Sequence, residues 1–186
     1  MRRTRTLILT CTLLALTAAC TADAGPAGQR TTRPTSPAAT STPTEPNEPA
    51  PPTLPALAEK KTTAGAKAFV TYYIDVLNLS ATNNAVSLLQ TIPSEGCRVC
   101  RQLIRTIKGN KARGGRQVGG TWSLAHINLI GMPEAPVAIA DLDVESGFYQ
   151  RFSTDRRHRI ENRRIVYQFW LTWTGRSWSL ADIRSV

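Results

Sequence analysis

The sequence predicts an α+β domain in which three N-terminal helices pack on one face of a curved antiparallel sheet, preceded by a signal peptide and a disordered tether. Three observations predict it. At Thr62 a Pro/Thr/Ser-rich stretch gives way to apolar residues at helical spacing. Glycine pairs at Gly114-Gly115 and Gly119-Gly120 then close the helical half. From Trp122 onward, β-branched and aromatic residues recur in short alternating runs. A run of helices followed by a run of strands is the α+β pattern, and the 125 residues of 62–186 suit one small domain.

The chain opens on Met1-Arg2-Arg3-Thr4-Arg5, followed by a 13-residue apolar run from Leu7 to Ala19. A spanning helix needs roughly 20 apolar residues, so the run predicts a secretory signal rather than a membrane span. Leu16-Thr17-Ala18-Ala19-Cys20 resembles the bacterial lipobox. That resemblance implies a diacylglycerol on the Cys20 thiol and removal of residues 1–19. Cys11 follows too short an apolar run to compete. Two acyl chains give stable anchoring where one gives marginal residence, so the expected location is the extracytoplasmic face of the cell membrane.

Residues 20–61 read as the tether. Nine of the 12 prolines lie between Pro26 and Pro55, and large apolar residues are almost absent. Such a segment cannot bury enough surface to offset its ordering entropy. Fully extended at about 3.1 Å per residue, it spans on the order of 100 Å. Its Ser/Thr/Pro content also suits O-glycosylation.

In the domain, Thr62 and Thr63 can cap a first helix over 64–79, with Phe69, Tyr73, Val76, Leu77 and Ser80 on one face. A shorter helix is expected from Asn83-Asn84 through Val86, Leu89 and Ile92, ended by Pro93. Ser94 can cap a third, with Cys97, Cys100, Ile104 and Ile107 on one side and Arg98, Arg101, Arg105, Lys108 and Lys111 on the other. Strands are expected over Trp122–Ile130, Val137–Glu145 and Phe148–Phe152. A charged loop covers Thr154 to Asn162, and a long strand over Ile165–Trp173 turns at Gly175-Arg176 into Trp178–Ile183.

Gly65-Ala66-Lys67-Ala68-Phe69-Val70-Thr71-Tyr72-Tyr73, Cys97-Arg98-Val99-Cys100 and Trp178 in a closing hairpin, taken in that order, resemble a family of uncharacterised actinobacterial lipoproteins. Their folded part is a domain of unknown function similar to the nuclear transport factor 2-like cone fold. The resemblance covers about residues 55–186 and implies a cone-like arrangement with a pocket between sheet and helices. Tyr73, His126 and Asp141 are the candidate pocket residues, beside Tyr72, Asp75 and Asp143. His126 and Asp141 could form an acid/base pair, which is the basis of the alternative reading as a small pocket enzyme.

Cys97 and Cys100 lie three apart on a predicted helix of an exported protein, where a disulfide can close and persist. A thioredoxin-like redox site is the rival, but it calls for a βαβ setting that the sequence does not show. Zinc needs about four ligands, and only His126 and His158 could join the cysteines, so neither metal nor cofactor is expected. No G-x-S-x-G, H-E-x-x-H or phosphate-binding glycine loop is present. The domain carries 16 Lys/Arg against 9 Asp/Glu, a net of +7. Arg98, Arg101, Arg105, Lys108 and Lys111 form a candidate anion-binding surface, matched outside a cell by anionic wall polymers or lipid headgroups rather than nucleic acid. The functional expectation is a non-catalytic binding or interaction domain at the envelope, its protein partner and ligand unspecified.

Overall fold

The computed structural model describes residues 50–83, 86–92 and 95–186. Cys20, the leader and the tether up to residue 49 lie outside the described residues. Among those described there are two α-helices, α1 (Thr63–Asn83) and α2 (Arg98–Ala112). Seven strands follow: β1 (Gly114–Gly119), β2 (Trp122–Met132), β3 (Ala135–Val144), β4 (Gly147–Phe152), β5 (His158–Ile160), β6 (Arg163–Trp173) and β7 (Trp178–Ser185). All pairings are antiparallel, and the strands form two sheets in the orders β1-β4-β5 and β2-β3-β6-β7.

This corrects the expected three helices on one curved sheet. The domain is mostly β, and the helix expected through Val86 and Ile92 is only a 3-10 turn at Leu89–Thr91. Between an asparagine pair and Pro93 there are too few residues to offset the cost of nucleating an α-helix. The next helix starts at Arg98, capped by Cys97 rather than Ser94. The single sheet becomes two because the strands break at one level, at Gly120-Thr121, Glu145-Ser146 and Glu161-Asn162. There Gly120 N–H donates to the Ser146 carbonyl at 3.3 Å and Glu145 N–H to the Thr121 carbonyl at 2.9 Å. Gly120 takes φ +66°, a left-handed conformation that favours glycine.

Helix α1 starts on Thr62, whose Oγ1 accepts from the Gly65 N–H at 3.0 Å. Ala66, Phe69, Val70, Tyr73, Ile74, Val76, Leu77 and Ser80 are all buried, which is more than one face, so the helix is embedded rather than laid on a surface. Tyr73 meets Phe169 of β6 edge-on at 6.0 Å. On the sheet side the core is built from Ala138, Ala140 and Leu142 of β3, Phe169 and Leu171 of β6, and Trp178, Leu180 and Ile183 of β7. The alternation along β6 thus buries Phe169 and Leu171, with Ile165, Tyr167 and Trp173 packed partly buried beside them.

The folded part begins before Thr62. Residues Ala56–Glu59 form a 3-10 turn with Ala58 fully buried, and Leu54 packs against the core. The Trp178 indole donates to the Lys60 carbonyl at 2.9 Å, fastening this segment to β7. A Cβ at Gly65 would overlap the Lys60 carbonyl, so only glycine lets the segment lie this close to α1. The end of the stretch read as a tether is therefore part of the domain.

A disulfide joins Cys97 and Cys100, with Cα atoms 5.3 Å apart. Cys97 is also the N-cap of α2, its sulfur accepting from the Cys100 N–H at 3.2 Å. A loop this short gives about 2 kcal/mol of chain-entropy stabilisation. The Cys97→Ala/Cys100→Ala variant should therefore lose about 2 kcal/mol in denaturant unfolding. Unchanged unfolding in that variant and in fully reduced protein would remove the disulfide from the account of stability.

Candidate functional site

Helix α2 sorts its residues cleanly. Cys100, Ile104 and Ile107 are buried, whereas Arg98, Arg101, Arg105, Lys108 and Lys111 are all exposed. Spacings of three and four place the five cations along one side. Arg101 Nη1 donates to the Glu95 carbonyl just ahead of the helix, and Arg105 Nη2 to Gln102 Oε1 at 2.8 Å. Among the described residues, none of the five is in an ion pair. At the start of the helix an open groove of about 410 Å³ runs between Arg98 and Val99 on one wall and Asp182 and Arg184 of β7 on the other.

Of the candidate pocket residues, His126 and Asp141 are brought together and Tyr73 is not. Tyr73 is 1% exposed beneath the four-stranded sheet, and its hydroxyl has no hydrogen-bond partner among the described residues. Burial raises its pKa above the ordinary tyrosine value. His126 and Asp141 are register partners across β2 and β3. Asp141 alternates with buried Ala140 and Leu142, so it stands on the face turned away from α1. The sheet itself separates Tyr73 from the His126/Asp141 pair. On the same outer face Asp143 is held by Arg164 through bonds of 2.8 and 3.0 Å, which lower its pKa. Tyr72 is buried on α1, while Asp75 is exposed, its pKa raised by partial desolvation. A depression beside the start of α1 is elsewhere, about 140 Å³ between Thr62, Ala66, Leu129, Pro136 and Trp178, with Lys61 and Glu134 paired at 3.2 Å nearby.

One polar centre was not singled out by sequence reasoning. Asp155, its side chain 7% exposed, accepts from the Arg151 N–H at 3.1 Å and from Arg151 Nε at 2.9 Å. His158 Nε2 lies 3.2 Å from the same carboxylate, and the Gln150 side chain donates to the Asp155 carbonyl at 2.7 Å. The His158 ring stacks on Tyr149 at 4.9 Å. Nearby, the Arg157 guanidinium lies 4.6 Å from the Phe148 ring centre and Arg116 5.9 Å from it. The available signal was the interleaving of Phe148, Tyr149 and Phe152 with arginines, which reads as an ordinary strand and charged loop. Among the described residues, no group of three or more His, Cys, Asp or Glu could hold a metal ion. Nor is any described helix long and apolar enough to cross a membrane.

A family model, described as a family of unknown function, DUF6318, matches residues 36–183 of the chain. The chain belongs to this family. No curated protein matches it. Among solved structures, the intermembrane space region of chloroplast protein ARC6 is similar, with a TM-score of 0.52 at 11% identity, covering 66% of this chain and 94% of that one. At that identity the likeness is one of fold alone.

The Asp155 cluster has a pH consequence. Hydrogen bonds from Arg151, and then from His158, hold the Asp155 carboxyl well below the usual aspartate range. A carboxylate depressed on folding contributes stability above its unfolded value of roughly 3.9, and that contribution is lost as pH falls below it. Asp143 and Glu134, lowered by Arg164 and Lys61, share this acid limb. Asp155→Asn should therefore make the fall in Tm between about pH 5 and about pH 3 shallower than in the parent chain. Parallel curves would show that Asp155 contributes nothing to acid sensitivity.

Proposed function

We propose that this DUF6318 protein is an actinobacterial lipoprotein, held on the extracytoplasmic face of the membrane through Cys20. Its domain is a non-catalytic binding module for phosphate-bearing envelope material, either anionic wall polymers or lipid headgroups. The observation that carries the reading is the exposed row Arg98, Arg101, Arg105, Lys108 and Lys111, free of ion pairs among the described residues. A guanidinium or ammonium not committed to a carboxylate keeps its donors for phosphate oxygens. The groove beside Arg98 gives a polymer somewhere to lie.

The enzyme alternative keeps its His126/Asp141 pair, but that pair lies on the outer face of the four-stranded sheet and Tyr73 is buried on the other side, so the three do not share a pocket. The redox alternative is weakened by burial, because Cys97 and Cys100 are 0% and 1% exposed and a partner thiol must reach a sulfur to exchange.

Two measurements test the proposal. Mass spectrometry of the mature protein should find Cys20 as a lipid-modified N-terminus, and Cys20→Ala should leave the chain unprocessed or released. A mature terminus elsewhere, with Cys20 unmodified, would overturn the anchoring. For the binding, residues 50–186 hold the whole core described above. They should co-sediment with wall fragments or phosphatidylglycerol vesicles at about 10 mM salt and largely let go at about 150 mM, where the Debye length falls from about 30 Å to about 8 Å. The two arms distinguish polymer from headgroup. Equal binding to neutral phosphatidylcholine vesicles, or no loss with Arg101→Gln/Arg105→Gln/Lys108→Gln, would leave the helix face a plain solvated surface.

A further inference from the structure

The three-stranded sheet carries a second cationic surface of a different kind. In the middle strand β4, Phe148, Gln150 and Phe152 share one face. Register places Val118 of β1 and Arg159 of β5 on either side of Phe148, and Arg116 beside Gln150, so all stand on that face. It is open to solvent: Val118 is 53% exposed and Phe152 36%.

The cations around it are arranged by aromatic rings. Arg157 and Arg116 both approach the Phe148 ring, at 4.6 and 5.9 Å, and Arg151 approaches Phe152 at 5.8 Å. A guanidinium lying against a ring covers its apolar plane and keeps its edge N–H groups available. Local carboxylates neutralise only part of the charge. Asp155 is taken by Arg151 and Glu161 by Arg159, so Arg116, Arg156 and Arg157 have no ion pair among the described residues. The result is an apolar centre of exposed Val118 and Phe152 around half-buried Phe148, rimmed by arginines.

We propose that this face docks onto an anionic lipid bilayer, with Val118 and Phe152 entering the headgroup layer and Arg116 and Arg157 binding lipid phosphates. Charge complementarity selects an anionic partner, and the apolar centre selects between anionic partners. A dissolved polyanion offers nothing to an exposed valine and phenylalanine, whereas the boundary between headgroups and acyl chains takes both apolar side chains and cations. The inference does not depend on Cys20 or on α2, and it concerns residues that neither of those assignments uses.

The test uses residues 50–186 with vesicles of phosphatidylcholine containing one third phosphatidylglycerol, against phosphatidylcholine alone, and follows amide hydrogen exchange as well as binding. Vesicles with phosphatidylglycerol should protect residues 114–119 and 147–160. Arg116→Gln/Arg157→Gln should weaken binding about thirtyfold through the loss of two charge contacts. Val118→Ser, at an exposed position that the fold tolerates, should leave Tm unchanged and raise the fraction of binding lost at high salt. Phe152→Ser should raise the same fraction and is read alongside it. Protection confined to 98–111 would assign the bilayer contact to α2 and overturn this inference while sparing the previous one. Variants that bind like the parent, or binding to soluble polyphosphate with no preference for vesicles, would also overturn it.

Discussion

The crease at which the strands pass from one sheet to the other is the constraint on which the rest of the molecule depends. Three successive connections, at Gly120-Thr121, Glu145-Ser146 and Glu161-Asn162, break pairing at the same level. The chain can turn there only because backbone approaches backbone without side chains between: a Cβ on Gly147 would overlap the Val118 carbonyl. Two backbone donors at the crease are satisfied across it by the Gly120-to-Ser146 and Glu145-to-Thr121 bonds. A flat sheet of the same strands would have one face for α1. The creased one meets α1 with β1, β2 and β3, and so can bury Phe69, Tyr73, Ile74 and Val76 on different sides of a single helix.

That burial explains the choice of residues beneath it. Ala138 and Ala140 are fully buried on β3, and their small side chains let the strand lie close to α1, where Phe69 and Tyr73 fill the space. Each fully buried side chain of that size contributes about 1.5–3 kcal/mol. The unpartnered Tyr73 hydroxyl subtracts from this, since a buried polar group without a hydrogen bond costs about 1–3 kcal/mol. At the free edge of β2, Asn78 does what a neighbouring strand would do. Its side chain accepts from the Trp122 N–H at 2.9 Å and donates to the Trp122 carbonyl at 2.8 Å, tying helix to sheet.

The parts that were legible in the sequence are those with a strong period. The α1 face, the alternation through Phe169 and Leu171, and the row of cations on α2 follow from spacing alone. Strand β1 did not, because Gly114-Gly115-Arg116-Gln117-Val118-Gly119 has almost no strand propensity and forms by pairing with β4, a contact some 30 residues away. Strand β5 was hidden in the same way among the charges of 154–162. Strand parity separates Asp141 from Tyr73. Asp141 lies between Ala140 and Leu142, and a strand that buries those two must turn the aspartate outward, so the sequence contained the objection to its own candidate. The Asp155 cluster had no comparable signal, since Thr154-Asp155-Arg156-Arg157-His158 reads equally well as a solvated loop.

The two cationic surfaces stand differently toward stability. On α2, like charges three and four residues apart cost a few tenths of a kcal/mol per pair, and Arg98 and Arg101 sit at the positive end of the helix dipole, a further small cost. Only Cys100, Ile104 and Ile107 bury the helix, yet two isoleucines at about 1.5–3 kcal/mol each and a disulfide at about 2 outweigh that repulsion. Apart from the local hydrogen bonds of Arg101 to the Glu95 carbonyl and of Arg105 to Gln102, the cations on α2 are thus tolerated by the fold rather than required by it. Around Phe148 the arginines are instead held in place by rings and by Asp155, so part of that surface belongs to the scaffold. Removing charge from α2 should therefore leave the fold intact, and a function assigned to α2 can be tested without confusing it with stability. On the small sheet the two are entangled at Arg151 and separable at Val118, which is exposed and opposes Phe148 across the strand pair.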